Sequence, residues 1–282
     1  MKLRGDVLKQ IRRKRGLSQT ALAEGICTQA TISLMEKQDR LPKMDILTAI
    51  CERLNIQTER IVENDVSAIN DIFNRSIDAL TNQEFEEATR LISQLSVKNL
   101  ESDFDKQRYY FLLGMVQIGN GDIGDAIFNF ELVLTQFSTS SANIYLALTT
   151  AGMALAYLRR NDKERAMRLT NRAVRLINNK NLLGSLHQWA FINCQISELY
   201  YELGEPLKAI ESAERGVELC RERDSMFILD QLYWYLGRAY LVTGKTAEAK
   251  QCMEIAKSIA IARHGKVNEQ AIEKELKKLS RN

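Results

Sequence analysis

LSQTALAEGICTQATISLMEK, residues 17–37, carries two short apolar stripes separated by a turn. Ser18 stands where its hydroxyl can accept from the free N–H groups of a helix carrying Leu22 and Ala23. Gly25 supplies the left-handed residue that ends that helix. After Ile26-Cys27-Thr28, the spacing predicts a helix over Gln29–Lys37 with Ile32 and Met35 on its buried side. Upstream, Leu8 and Ile11 lie three apart on a basic helix over residues 7–14, which ends at Arg15-Gly16. Downstream, Asp39-Arg40-Leu41-Pro42 breaks the chain. A fourth helix then buries Ile46, Leu47, Ile50 and Leu54 at helical spacing.

Two short helices joined by a tight turn have helix-turn-helix geometry. The charge fits that reading. Residues 1–64 hold 12 Lys and Arg against 8 Asp and Glu, whereas the whole chain is only +3. The positive excess therefore sits in the N-terminal quarter, where a polyanion would bind.

Over about 60 residues this segment resembles the phage-repressor-like (XRE) helix-turn-helix family. The resemblance lies in Leu17-Ser18-Gln19, Leu22-Ala23, Ile32-Ser33, Glu36, Pro42 and the Leu47/Ile50/Leu54 stripe. A recognition helix of this kind lies in the major groove of double-stranded DNA. Gln29 can pair with adenine, the hydroxyls of Thr31 and Ser33 can meet base edges, and the methyls of Ala30 and Thr31 can meet thymine. The resemblance makes Gln19 a phosphate-positioning residue, and Lys37, Arg40 and Lys43 suit the backbone. With Thr28 and Leu34, these are the candidate DNA contacts. Many relatives carry a basic residue at the position of Leu34. Arg12 and Glu36 match positions that pair inside the domain, and are read as a structural ion pair.

From about residue 67 a second pattern repeats. Ala88, Ala126, Ala166, Ala209 and Ala249 recur at intervals of 38–43 residues. Twelve residues before each stands a small residue: Ser76, Gly114, Ala154, Ser197 and Gly237. Three further on come Ala79, Gln117, Tyr157, Tyr200 and Tyr240. Four after each alanine come Ile92, Phe130, Thr170, Ala213 and Met253. Asn120-Gly121-Asp122, Leu203-Gly204-Glu205 and Thr243-Gly244-Lys245 mark turns between paired helices, and Thr81-Asn82-Gln83 takes that place in the first pair. The pattern resembles the tetratricopeptide repeat, at a spacing longer than its usual 34 residues. Val267–Leu279 is amphipathic and suits a capping helix. The expected fold is all-α. A five-helix helix-turn-helix domain with its linker, residues 1–66, precedes a right-handed superhelix of five hairpins and a cap, residues 67–282.

The repeat phase points Arg108, Phe111, Met115, Leu155, Gln195, Gln231, Trp234, Tyr235 and Arg238 toward the concave face. Amides, arginines and aromatics together suit an extended peptide. The two halves in this order resemble the PlcR/PrgX/Rgg-type (RNPP) regulators of Gram-positive bacteria, nearest the PlcR branch. The matching pieces there are Gly25-Ile26-Cys27-Thr28-Gln29, Pro42-Lys43-Met44-Asp45-Ile46-Leu47 and Ile228-Leu229-Asp230-Gln231-Leu232-Tyr233. The resemblance implies quorum sensing: a homodimer, a short signalling peptide in the groove and a palindromic operator. It matches Gln195 and Gln231 to polar groove residues, and the segment Gln57–Ser67 would relay the change between halves. The alternative is that the array binds a protein partner instead of a peptide.

Other classes find no support. The two histidines are far apart, and the five cysteines are scattered without a CxxC pair, which suits reduced buried thiols rather than a disulfide frame or zinc site. No phosphate loop, paired carboxylates or nucleophile–histidine arrangement marks an enzyme, and no cofactor is expected. With no signal-peptide-like start and no long uncharged stretch, a cytoplasmic protein without membrane contact is expected.

Overall fold

The structure, a computed structural model, describes residues 2–54, 56, 60–63, 65–100, 102–137, 144–179 and 182–279. They form two compact units, Met1–Ile72 and Phe73–Asn282. The first holds α1 (Gly5–Lys14), α2 (Gln19–Ala23), α3 (Gln29–Gln38) and α4 (Met44–Leu54). A fifth helix, α5 (Asp65–Thr81), begins in this unit and continues into the second.

Local chemistry sets these boundaries. The Ser18 hydroxyl accepts from the Ala21 N–H at 3.0 Å and starts α2. The Thr28 hydroxyl accepts from the Thr31 N–H at 3.2 Å and starts α3. Gly25 has φ +72° between them. Asp39 takes the left-handed conformation at the end of α3, and its carboxylate accepts from the Gly5 N–H at 2.9 Å. A Cβ at Gly5 would lie 2.1 Å from the Met35 carbonyl, so only glycine lets α1 start this close to α3. Leu8, Leu22, Ile32, Met35, Leu47, Ile50 and Leu54 form the core, and Ile46 packs at its edge.

One element differs from expectation. Strand β1 (Lys2–Leu3) pairs antiparallel with β2 (Val62–Glu63), Leu3 opposite Val62. Leu3, Ile61 and Val62 are buried in the same core, and the Arg4 N–H donates to the Ile61 carbonyl at 2.7 Å. The segment read as a linker thus contributes to the helix-turn-helix core. Two-residue strands have no periodicity to read, which is why the pattern missed them. Of that segment, Gln57, Thr58, Glu59 and Asn64 lie outside the described residues.

The second unit pairs α5 with α6 (Phe85–Ile92), α7 (Asp103–Asn120) with α8 (Ile123–Thr135), and α9 (Ile144–Arg159) with α10 (Lys163–Ile177). It continues with α11 (Leu186–Glu202) and α12 (Pro206–Glu222), α13 (Leu229–Val242) and α14 (Thr246–Ala262), and ends on α15 (Lys266–Leu279). The five repeat alanines are all fully buried, as are the four-residue partners Phe130, Thr170 and Ala213, with Ile92 and Met253 nearly so. The small positions explain why. The Ser197 hydroxyl donates to the Ala209 carbonyl across the hairpin at 2.9 Å. A Cβ at Gly114 would meet the Phe130 ring at 2.5 Å, and one at Gly237 the Ala249 carbonyl at 3.0 Å.

Each hairpin turns the same way. Gln83, Gly121, Asn161, Gly204 and Gly244 take positive φ. The next N–H, from Glu84, Asp122, Asp162, Glu205 and Lys245, donates back to the carbonyl of Ala79, Gln117, Tyr157, Tyr200 and Tyr240 at 2.8–3.0 Å. These are Schellman closures, in which a left-handed residue lets the chain satisfy the helix's last carbonyls. The tyrosines of the third to fifth hairpins are covered by Arg165, Lys208 and Lys245 at 4.6–5.4 Å from their ring centres. At the C-terminal end of the array, Ile272 of α15 is buried with Met253, Ala256 and Ala260, and Leu276 and Leu279 pack beside it. That is the capping role expected for this helix. All five cysteines are free thiols, four of them buried.

Gly114→Val should lower stability by about 2 kcal/mol or more, because the Phe130 ring is already fully enclosed. Gly124→Ala, in α8 with open space around it, should raise stability by about 0.5 kcal/mol. Urea unfolding followed by helical circular dichroism measures both.

Candidate functional site

In the first unit, α3 presents Gln29, Ala30 and Lys37 to solvent, with Thr31, Ser33 and Leu34 half-buried. Thr28, Arg40 and Lys43 are exposed beside it. Under this surface lies the Arg12–Glu36 pair: Nε donates to Oε1 at 2.5 Å and Nη2 to Oε2 at 2.9 Å. Both side chains are almost fully enclosed, at 8% and 1% exposure. The ion pair is therefore structural, as the sequence implied. Gln19 joins it to the surface. Its Nε2 donates to Glu36 at 2.8 Å, and its Oε1 accepts from Gln29 at 2.7 Å. A residue expected to contact DNA is thus positioned by a buried carboxylate. The hydroxyls of Thr28 and Thr31 bond to each other at 2.9 Å. Sequence reasoning missed Arg53 of α4, whose Nη1 donates to the Leu22 carbonyl at 3.2 Å and to the Glu24 carbonyl. It caps α2 and stiffens the turn before α3.

Burial pushes the Glu36 carboxyl up, but the hydrogen bonds from Arg12 and Gln19 and the Arg12 charge outweigh it and hold it below the usual carboxylate value. A depressed folded-state pKa gives stability that is complete above the unfolded value, about 4.3, and is lost as pH falls through the lower folded value.

In the second unit the nine expected groove residues line two adjoining cavities. The first, about 450 Å³, holds Arg108 and Phe111. The second, about 380 Å³, holds Met115, Leu155, Gln195, Gln231, Trp234, Tyr235 and Arg238. Leu80 and Phe191 line both. The first cavity is walled by rings: Phe104 and Phe111 stand edge-on to Tyr145 at 5.3 and 5.8 Å, and Phe111 to Phe191 at 6.1 Å. His187 stacks on Phe227 at 4.3 Å on the same wall.

The second cavity is the more polar of the two. Arg159 pairs with Glu198 at 3.1 Å, and Arg238 lies 3.6 Å from Glu202 and 3.5 Å from Glu275. The Arg238 guanidinium also lies 4.2 Å from the Tyr201 ring centre. The Trp234 N–H donates to Glu275 at 2.7 Å. Burial pushes the Glu198 carboxyl above its ordinary value, against the pull of Arg159. Gln195 is buried, with its Nε2 3.3 Å from the Met115 sulfur. Its Oε1 accepts no hydrogen bond among the described residues.

Glu198 was legible in principle. The residue one after each small position is Ile77, Met115, Leu155, Glu198 or Arg238, and all five line these cavities. One helical step of about 100° turns that side chain from the hairpin partner toward the concave side. His187 and Phe227, at a helix start and in a connection, carry no such phase. Among the described residues no helix is long and apolar enough to cross a membrane. Among the same residues no His, Cys, Asp and Glu group could hold a metal ion.

The comparisons with known proteins agree with this architecture. Residues 8–61 match the helix-turn-helix family model, HTH_3, so the first unit is a helix-turn-helix domain. No curated protein matches by sequence. The whole chain shares its fold with Bacillus thuringiensis PlcR, solved in complex with the peptide PapR7 and DNA. That match has a TM-score of 0.63 and 18% identity, and covers 96% of this chain and 99% of that one. ComR of S. thermophilus, in complex with DNA and its signalling peptide ComS, matches at 0.52 and 14% over 98% and 99%. The Streptococcus dysgalactiae SHP pheromone receptor Rgg2 matches at 0.51 and 12% over 97% and 98%.

Arg12→Ala strands a buried carboxylate and should cost the helix-turn-helix domain about 3 kcal/mol, read as faster amide exchange in α1 and α3. Glu36→Gln should remove part of the stability loss that the parent domain shows below about pH 4.3. A parent and variant with identical acid profiles would contradict the ion-pair assignment.

Proposed function

We propose that this protein is a sequence-specific transcriptional regulator whose operator binding is controlled by a short signalling peptide held on the concave side of the repeat array. The observation that carries the reading is the cavity pair: the nine residues expected to meet a peptide line two adjoining chambers. One chamber is ringed by aromatics, and the other sets amides and charges among apolar side chains. An extended peptide needs both, because its side chains gain from apolar burial while its main chain must keep its hydrogen bonds. The free Gln195 oxygen suits a peptide N–H. The fold shared with PlcR and ComR, each solved with a peptide and DNA, supports the same reading.

DNA is read by α3. Gln29, Ala30, Thr31, Ser33 and Leu34 meet base edges, while Gln19, Thr28, Lys37, Arg40 and Lys43 hold phosphates. The protein acts as a homodimer on a palindromic site, since paired recognition helices follow the two-fold symmetry of such a site. The repeats, residues 67–282, supply the dimer contacts and the sensor. The peptide acts by differential affinity for two forms of the array. Moving the balance from 1:99 to 99:1 takes about 10⁴-fold preference, roughly 5.5 kcal/mol. Several groove contacts together can supply that.

Calorimetry of the full chain against short peptides encoded beside its gene tests the sensor. A saturable binder that weakens at least tenfold on Gln195→Ala or Trp234→Ala is expected. No binder, with palindromic DNA still recognised, would leave a protein partner as the occupant. On the DNA side, Arg40→Ala and Lys43→Ala should weaken all sequences alike and each reduce the salt slope by about 1. Thr31→Val should instead change which sequences are preferred.

A further inference from the structure

The first hairpin touches the last. Thr81 closes α5, so its carbonyl belongs to the final turn, where no intrahelical donor remains. Two side-chain amides from the far end of the array reach that oxygen. Gln231 of α13, 150 residues on, donates through Nε2, and Asn268 of α15, 187 residues on, donates at 3.3 Å. Gln83 adds a third tie, its Nε2 donating to the Asn268 Oδ1 at 2.5 Å.

A buried charge pair holds Asn268 in place. Asp230 is fully enclosed and paired with Arg263. Its other oxygen accepts from Asn268 at 2.8 Å. Arg263 in turn donates to the Thr81 hydroxyl at 3.4 Å and sets a cation at the negative end of α5. These ties are polar and converge on one turn, unlike the small-residue and apolar contacts that join the helices within each hairpin.

Gln231 makes the contact consequential. It lines the more polar cavity together with Thr81 and Gln83. Its donor is already given to a main-chain carbonyl of the chain itself, the same chemistry a bound peptide would offer. We propose that the α5–α6 turn is a releasable latch that closes the array into a ring, with the Thr81 carbonyl standing at Gln231 in place of a ligand's. Peptide entry would then exchange one carbonyl for another at Gln231 and open the ring. That last step rests on the peptide reading; the latch itself does not.

Hydrogen–deuterium exchange of the full chain, with no peptide present, tests it. Gln83→Gly keeps the positive φ of the turn and removes one tie; Asn268→Ala removes two ties and its bond to Asp230. Each should speed exchange in residues 77–84, 228–234 and 263–270 together, by about tenfold. Exchange in α9 and α10 should stay unchanged. Gln231→Ala should release the same three segments. Equal acceleration through α9 and α10 would mean ordinary loss of stability and would overturn the latch. So would acceleration confined to the segment substituted. If Asn268→Ala does not fold, Gln83→Gly decides alone. Release by Gln83→Gly but not by Gln231→Ala would refute the coupling to the cavity. A chain that shows the latch yet binds no peptide would fault the function and leave the latch standing.

Discussion

Two helices can lie close only where neither puts bulk between their backbones, and the repeat array depends on that constraint. At Ser197 the approach is close enough for a hydroxyl to bond the Ala209 carbonyl of the facing helix. At Gly114 and Gly237 there is no room even for a methyl group. Because the crossing point is fixed in this way, the rotation of each first helix is fixed too. The side chain one residue further on is then carried to the concave side, and five hairpins place Ile77, Met115, Leu155, Glu198 and Arg238 along it. The lining of the cavities is a by-product of packing on the opposite face.

The same economy holds in the helix-turn-helix domain. Glu36 is shut inside, yet it orients Gln19, and Gln19 orients Gln29. A buried ion pair is weak evidence for stability, since desolvation opposes the attraction. Here it links the core to the outward face of α3 through two amide groups. Arg53 does a related task from α4, closing the end of α2.

Most of the fold was legible in the sequence because it is periodic. The alanines and small residues recur at fixed offsets, the caps at Ser18 and Thr28 use the residue types that capping demands, and Gly25 marks its turn. What escaped was aperiodic. The β1–β2 ribbon rests on single apolar residues set among charged ones. Asn161 turns its hairpin without the glycine that signals such a turn elsewhere. Phe227 and His187 reach the aromatic cavity from positions that no repeat phase describes. The ties between Thr81 and Asn268 join residues 187 apart, and no local pattern reports a contact of that span. All nine groove candidates share the cavities because repeat phase is a geometric statement; what they bind is a chemical one, and it does not follow from phase.

The ribbon has a further meaning. Leu3 lies opposite Val62, so the strand that enters the helix-turn-helix domain and the strand that leaves it run side by side. The domain is topologically a loop pinned at its neck. A module of that shape can be carried by many different sequences downstream, because its core is closed before the chain moves on. The pin also gives the neck a lever: a pull along the departing chain is borne by Ile61 and Val62, inside the core, before it reaches α2 or α3.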